Sequence, residues 1–252
     1  MKSTSWESVG KWYHEAVGEE GLYYHRNLIL PGVLRLLSLE AVPSPSILDL
    51  GCGQGILARS IPPQVPYLGL DLSSSLIKAA QKLDSNPVHH YQVADVTKPF
   101  PIKERKFTDA VAILSVQNLE QPASLFRHLS KVLVPRGRCV LVLNHPCFRI
   151  PRQSSWQVDA SKKVQYRRLD QYMSPLKIPI QAHPGRGRAS ENTWSFHHPI
   201  SAYSKWLYDA GFATELLEEW CSNKTSTGGA AKMENRSRAE FPLFLAIVAR
   251  LR

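Results

Sequence analysis

The chain has 252 residues, 43% of them hydrophobic, which is enough for one large domain or two small ones around a packed core. Its formal net charge of +10 suits nucleic acid, anionic lipid or an acidic substrate, and equally a merely solvated basic face. No run approaches the roughly 18 consecutive apolar residues of a membrane helix, the start "MKSTSWESVGKWYH" lacks the apolar stretch of a secretory signal, and the scattered cysteines Cys52, Cys139, Cys147 and Cys221 exclude a disulfide framework. A cytoplasmic protein with free thiols is expected, and no metal, because no C-x-x-C pair is present and the adjacent histidines His89-His90 and His197-His198 cannot readily face one ion.

In chain order, residues 5–40 read as helical, with "NLILPGVLRLLSLE" apolar on one face and Pro31 kinking the helix or starting a new one. From Ile47 to Leu143, β-rich runs alternate with helical patterns. "SILDL" precedes a helix expected from about Gly55, "YLGLDL" precedes the helix "SSLIKAAQKL", and "VHHYQVAD" and "FTDAVAILSV" precede the helix "EQPASLFRHLSKVL" and the strand "RCVLVLN". Strand and helix in repetition predict an α/β fold, a doubly wound parallel sheet with helices on both faces. Either Ser73 or Asp71 is placed to cap the second of these helices.

Residues 145–195 read as a long irregular segment rich in Arg, Pro and aromatics, either a functional lid or partly disordered. Between Arg149 and Arg188 nine Lys/Arg stand against Asp159 and Asp170, so this stretch carries seven of the ten excess charges. "ISAYSKWLYDAG" then reads as a helix ended by Gly211, "FATELLEEW" as a strand, "CSNKTSTGGAAKMENRSRAE" as a polar, mobile loop, and "FPLFLAIVARL" as a last apolar strand.

The most informative stretch is "ILDLGCGQG", where Gly51, Gly53 and Gly55 directly follow an apolar strand. Glycine in regular structure costs roughly 0.5–1 kcal/mol relative to alanine, so three of them imply close approach of a ligand to the backbone. Asp71 ends the second strand, 18 residues after Gly53, where such sheets place the acid that grips a ribose diol. Asp95, in "QVADV", lies beside it along the carboxyl edge, within reach of an adenine amino group. The loop is G-x-G-x-G rather than G-x-G-x-x-G and offers no pyrophosphate site, which favours S-adenosylmethionine over a dinucleotide.

"ILDLGCGQG", "GLDLSSSLIKAA", "VADV", "DAVAILSVQNLEQP" and "VLVPRGRCVLV" resemble, in order, the motifs of the class I S-adenosylmethionine-dependent methyltransferases, in the branch rich in small-molecule methylases. The resemblance implies a Rossmann-like, seven-stranded, mostly parallel sheet whose sixth strand and antiparallel seventh are "GFATELLEEW" and "FPLFLAIVARL". It implies that Asp49, Gly51, Cys52, Gly53, Gln54 and Gly55 wrap the methionine portion of the cofactor. Asp71 and Leu72 would hold its ribose and adenine, Asp95 and Val96 would touch the adenine, and Ser115, Gln117 and Asn118 would line the cofactor and substrate side. S-adenosyl-L-homocysteine would be the product. "PRGR" departs from the family's Pro-Gly-Gly, so Arg136 must accept the turn.

On this reading residues 1–42 form a helical lid, 43–144 the cofactor-binding core, 145–198 a substrate-side insertion, and 199–252 the helix and strands that complete the core. Transfer from a sulfonium depends mainly on positioning, and a neutral histidine suits the task of general base toward a hydroxyl or acidic carbon. His145, in "LNHPCF", and His197, in "WSFHHPI", are the candidates, with His198 structural. The position after the fourth strand reads "SVQNLEQP" and lacks the Asn-Cys-Pro-Pro-Tyr-like motif of DNA and glutamine N-methylases, which disfavours that route. Cys147 has no motif around it that would mark a covalent nucleophile. Tyr13, Tyr24, Phe148 and Trp194 are candidates for the acceptor wall. The expected acceptor is a small molecule methylated at O or C, with aromatic and isoprenoid compounds favoured. Alternatives are RNA read by the basic 149–188 segment, with "KKVQYRR" and "HPGRGR" tracking phosphates, and a non-catalytic regulator that binds the cofactor.

Overall fold

In the computed structural model of the chain, the described residues are 7, 18, 20–104, 106–181 and 192–252. The first five strands are β1 (Ile47–Leu50), β2 (Tyr67–Asp71), β3 (His89–Val93), β4 (Phe107–Ile113) and β5 (Leu133–Asn144). They are followed by β6 (Ser154–Asp159), β7 (Val164–Leu169), β8 (Leu176–Gln181), β9 (Asn192–His197), β10 (Phe212–Trp220) and β11 (Phe244–Leu251). Seven of these form one sheet in the order β10-β11-β5-β4-β1-β2-β3, with β11 antiparallel to both neighbours and the other pairings parallel. The expected doubly wound α/β sheet with an antiparallel last strand is present. Strand order reverses between β1 and β4, and the crevice outside the carboxyl ends at such a point is where open α/β sheets take ligands.

Period-two alternation builds the core on both faces. Leu48, Leu50, Ala110, Ala112, Leu141, Leu143, Leu245 and Ile247 belong to one buried cluster, while Ile47, Val111, Val140, Val142, Ala246 and Val248 belong to the other. The second cluster is covered by α1 (Leu30–Leu37), whose Leu30, Val33, Leu36 and Leu37 fall on one stripe, and by Ile77 and Ala80 of α2 (Ser74–Leu83). The first is covered by α3 (Pro122–Leu129) through Leu125, Phe126 and Leu129, and by α4 (Ile200–Asp209) through Tyr203 and Leu207. Pro31 lies in the first turn of α1, where its missing N–H costs nothing. Ser73 is the cap of α2, its Oγ accepting from Leu76 N–H at 3.2 Å, and Gly211 follows α4 at φ +90. Arg136 takes the turn before the buried half of β5 at φ +60.

Three expectations are corrected. No α-helix starts at Gly55. Turns and a single 3-10 turn, Ala58–Ser60, fill the space, because Pro62 and Pro63 end any helix before it can run. The segment after β5 is not irregular: β6 and β7 pair as one antiparallel hairpin and β8 and β9 as another. The polar stretch before β11 contains α5 (Ala231–Glu240), whose buried residue is Ser237, hydrogen-bonded to Gln165 O at 3.0 Å.

Candidate active site

The carboxyl edge of β1 carries the glycine loop. Gly51, Gly53 and Gly55 all have positive φ (+77, +56 and +75), a conformation L side chains rarely adopt. A Cβ at Gly51 would stand 2.4 Å from Ser115 Cβ, and one at Gly55 would stand 2.7 Å from the Tyr91 hydroxyl. The loop therefore lies against its neighbours on one side and presents backbone alone on the other. The turn after β4 is equally constrained: Leu114 sits at φ +53, and the Ser115 hydroxyl donates to Leu50 O at 2.6 Å, tying it to the end of β1.

Two carboxyls converge here, one buried and one half-buried. Asp49 is 3% exposed and accepts a 2.6 Å hydrogen bond from the Tyr67 hydroxyl. Burial, against the help of that hydrogen bond and reinforced by the charge of Asp71, pushes its pKa up to about 7. Asp71 ends β2. Its Oδ2 accepts from Gly53 N–H and its Oδ1 from Ser73 N–H, both at 2.9 Å, and burial raises its pKa against those bonds. Two carboxylates that resist ionising, beside backbone bared by three left-handed glycines, fit a cationic ligand that needs close main-chain approach. S-adenosylmethionine is such a ligand.

A pH prediction follows from Asp49. Its folded pKa lies above the ordinary 3.8, so the unfolded chain loses this proton first as pH rises. Stability therefore falls between about pH 4 and about pH 7, by an amount on the order of 4 kcal/mol from this group, and no further above it. Asp49→Asn should flatten that slope in urea midpoints taken across the range; an unaltered slope would mean that Asp49 is ionised in the folded state throughout.

The remaining predicted cofactor residues surround this centre. Cys52 is buried and its thiol pushed up by burial, Gln54 is buried with its amide donating to Gly18 O at 2.5 Å, and Leu72 is exposed beside Asp71. Val96 is buried, and Asp95 Oδ1 accepts from Thr97 N–H and the Thr97 hydroxyl at 2.9 and 2.6 Å. Gln117 Oε1 accepts from Asn144 N–H at 2.9 Å and the Asn118 amide donates to Leu114 O at 3.3 Å, so both side chains brace the turn. Glu7 accepts from the Ser73 and Ser74 hydroxyls at 2.7 and 3.0 Å, just beyond Asp71, while Gly18 O accepts from Gln54 within the glycine loop. Glu7 carried no signal in the sequence.

The histidines divide sharply. His145 is fully buried. Its Nδ1 accepts from Cys147 N–H at 3.1 Å, so its Nε2 carries the hydrogen and donates to Glu219 Oε1 at 2.8 Å. With both nitrogens engaged, the ring as placed has no lone pair for a base, contrary to the expectation from sequence. His197, at the end of β9, donates from Nε2 to Tyr172 O at 2.7 Å, which leaves Nδ1 as its acceptor nitrogen, and burial lowers its pKa, favouring the neutral ring. β9 packs against the turn Val116–Asn118, which puts His197 on the same edge as the glycine loop. His198 stacks edge-on against Trp206 at 4.9 Å.

Of the predicted acceptor wall, Tyr24 meets Phe244 edge-on at 5.7 Å with its hydroxyl 2.8 Å from Ser222 Oγ. Phe148 stacks on His145 at 4.9 Å, and Trp194 lies under Lys177 Nζ at 5.3 Å on the second hairpin. Tyr13 lies outside the described residues. A groove of about 1020 Å³ opens at the amino ends of β1, β2 and β4, lined by Val42, Pro45, Pro66 and Phe107. It is on the opposite edge from the glycines and plays no part in this site. No group of His, Cys, Asp and Glu that could hold a metal occurs among the described residues, and no helix there is long and apolar enough to cross a membrane.

Comparison with known proteins agrees with this geometry. Residues 48–141, from β1 to the middle of β5, match the family model of a methyltransferase domain. An uncharacterised 37.1 kDa protein from a transposon of Streptomyces fradiae is 29% identical over 109 residues, 41% of this chain, and the chain spans about a third (31%) of that relative's length. An S-adenosylmethionine-dependent methyltransferase from Mesorhizobium loti superposes with a TM-score of 0.65 at 26% identity, covering 88% of this chain and 99% of that one. A glycopeptide N-methyltransferase complexed with S-adenosyl-L-methionine shares the fold, with a TM-score of 0.57 at 17% identity over 87% of this chain and 93% of its own. With the strand order, the glycine loop on β1 and the acid ending β2, these matches show an S-adenosylmethionine-dependent methyltransferase domain with the class I fold.

Proposed function

We propose that the protein transfers a methyl group from S-adenosylmethionine to an oxygen or carbon atom of a small molecule. The cofactor supplies a methyl already activated on a sulfonium, and the chain's own task is positioning and desolvation. Asp71 takes the ribose hydroxyls, Asp49 and the glycine loop the methionine portion, and Leu72, Asp95 and Val96 the adenine. His197, neutral and with Nδ1 as acceptor, takes the acceptor's proton. His145 fixes the turn after β5 through Cys147 and Glu219. Residues 1–42 and 145–198 act as the two covers of the acceptor side.

The fate of the basic segment carries the choice of a small molecule over RNA. Arg167 turns inward onto Trp156 at 5.1 Å, and Arg168 pairs with Asp170 at 2.8 Å. Lys177 pairs with Glu120 at 3.1 Å, Lys162 with Asp159 at 3.7 Å, and Arg152 donates to Pro179 O at 3.3 Å. Side chains already paired within the protein are poorly placed to track a phosphate backbone, which supports the small molecule; "HPGRGR" lies outside the described residues. The test is transfer of labelled methyl from S-adenosylmethionine into a cell extract separated into organic-soluble and nucleic-acid fractions. Label is expected in the organic phase and lost with Asp71→Ala; label in RNA would reverse the assignment. With a hydroxyl acceptor, His197→Ala should lower kcat by about 100-fold or more with little change in cofactor affinity.

A further inference from the structure

Arg149 stands one turn beyond β5, its N–H donating to His145 O at 2.8 Å. Its guanidinium lies over the Phe244 ring at 4.9 Å, and its Nη1 is buried with no hydrogen-bond partner. Burial lowers its pKa, yet a guanidinium remains charged in any protein, so the chain holds a desolvated cation here. Among the described residues no acid pairs with it. The neighbouring cation Arg167 repels it and is itself held by neutral oxygens, Phe148 O and Ser154 Oγ, both at 2.7 Å. Glu219, the acid of this network, is bonded to His145.

The other neighbours are aromatic. Phe148 and Trp156 both meet Phe241 edge-on, at 5.5 and 5.4 Å, and Tyr24 meets Phe244. Removing one partner from a buried ion pair is strongly destabilising, and Arg149 has the geometry of the half that remains. Its place is also telling. Phe244 opens β11 opposite Asn144, Asn144 bonds Gln117, and the same turn carries Ser115 against Gly51. The guanidinium therefore sits on the carboxyl edge that holds the glycine loop, between the helices before β1 and the first hairpin.

We infer that Arg149 is the anion-binding residue of the acceptor pocket, and that the methyl acceptor carries a carboxylate or phosphate group beside an apolar or aromatic body. This rests on the acceptor side proposed above. The oxyanion supplies the missing partner of Nη1, while the half-buried Tyr24 beside it flanks the body. A planar guanidinium binds either group through paired N–H donors, so the two are separated by experiment.

The test is calorimetric titration of the protein, saturated with S-adenosyl-L-homocysteine, with 4-hydroxybenzoate, phenyl phosphate and the neutral 4-hydroxybenzamide. One or both anions should bind at least about tenfold more tightly than the amide, and the tighter of the two names the group. Arg149→Met should erase that preference, and Arg149→Lys should restore part of it. A second readout guards against misfolding: in anion-free buffer Arg149→Met should melt no lower than the parent, because an unpaired charge has been removed, and the anion should raise the melting temperature of the parent alone. Equal binding of the amide, or a preference that survives in Arg149→Met, overturns the inference, as does a lower melting temperature in that variant. Failure of S-adenosyl-L-homocysteine to bind the parent protein would instead overturn the proposed function.

Discussion

Replacing Gly51 with alanine should abolish cofactor binding at any practical concentration and destabilise the fold by about 2–4 kcal/mol. Two costs combine. The backbone at φ +77 penalises any L side chain by roughly 1–2 kcal/mol. The new Cβ would also stand 2.4 Å from Ser115 Cβ, which cannot retreat because the Ser115 hydroxyl is bonded to Leu50 O at 2.6 Å. The strands would have to part where the two ligand-facing turns meet. Gly228 supplies the control: at φ +91 with nothing within 4 Å of its added Cβ, Gly228→Ala should show the backbone cost alone and leave cofactor affinity intact. Adding Ser115→Gly to Gly51→Ala should recover the steric part and leave the conformational part. Titration with S-adenosyl-L-homocysteine and urea midpoints read both quantities, and comparable losses for Gly51→Ala and Gly228→Ala would refute the steric argument.

Asp71→Ala should weaken S-adenosyl-L-homocysteine binding by about 100-fold or more, the value of two charge-assisted hydrogen bonds. The same change should alter stability much less. It strands Gly53 N–H and Ser73 N–H but also removes a half-buried carboxylate that is costly to ionise. Asp71→Asn, which keeps an acceptor oxygen, should fall between parent and Ala. A loss of under about threefold in Asp71→Ala, well below the value of one such bond, would mean that the ribose is held elsewhere.

Much of this architecture is legible in the residues because local and tertiary preferences agree. Strand after strand in the core alternates between two buried faces, Pro31 and Ser73 mark helix starts, and the glycine loop has a period no simple turn requires. What stayed hidden lacks a local signal. The β6–β7 hairpin turns with Lys163 at φ +53, where glycine or asparagine would have announced it, and β8 contains Pro179, which argues against a strand. α5 has no apolar stripe, since its buried contact is a serine hydroxyl. The helix expected at Gly55 shows the converse: a strong family pattern yielded to the pair of prolines that follows.

For the candidate site, Asp49, Asp71 and the three glycines were readable because the strand ends fix where they stand. His145 was placed on the correct edge, but spacing cannot reveal that Cys147 N–H and Glu219, 74 residues away, would occupy its two nitrogens. Arg149 was counted as one of many surface charges. Only the fold turns it inward.

The position of β11 bears on how the protein is made. It is the last strand of the fold in chain order, yet it lies between β5 and β10 and hydrogen-bonds to both. While a ribosome is still synthesising the chain, every other strand exists before the one that joins β10 to the rest. Until β11 emerges, β5 presents a long, apolar, unpaired edge to solvent, the kind of template on which nascent chains aggregate. Codon changes that slow translation ahead of Phe244 should therefore lower the soluble yield without altering the finished protein.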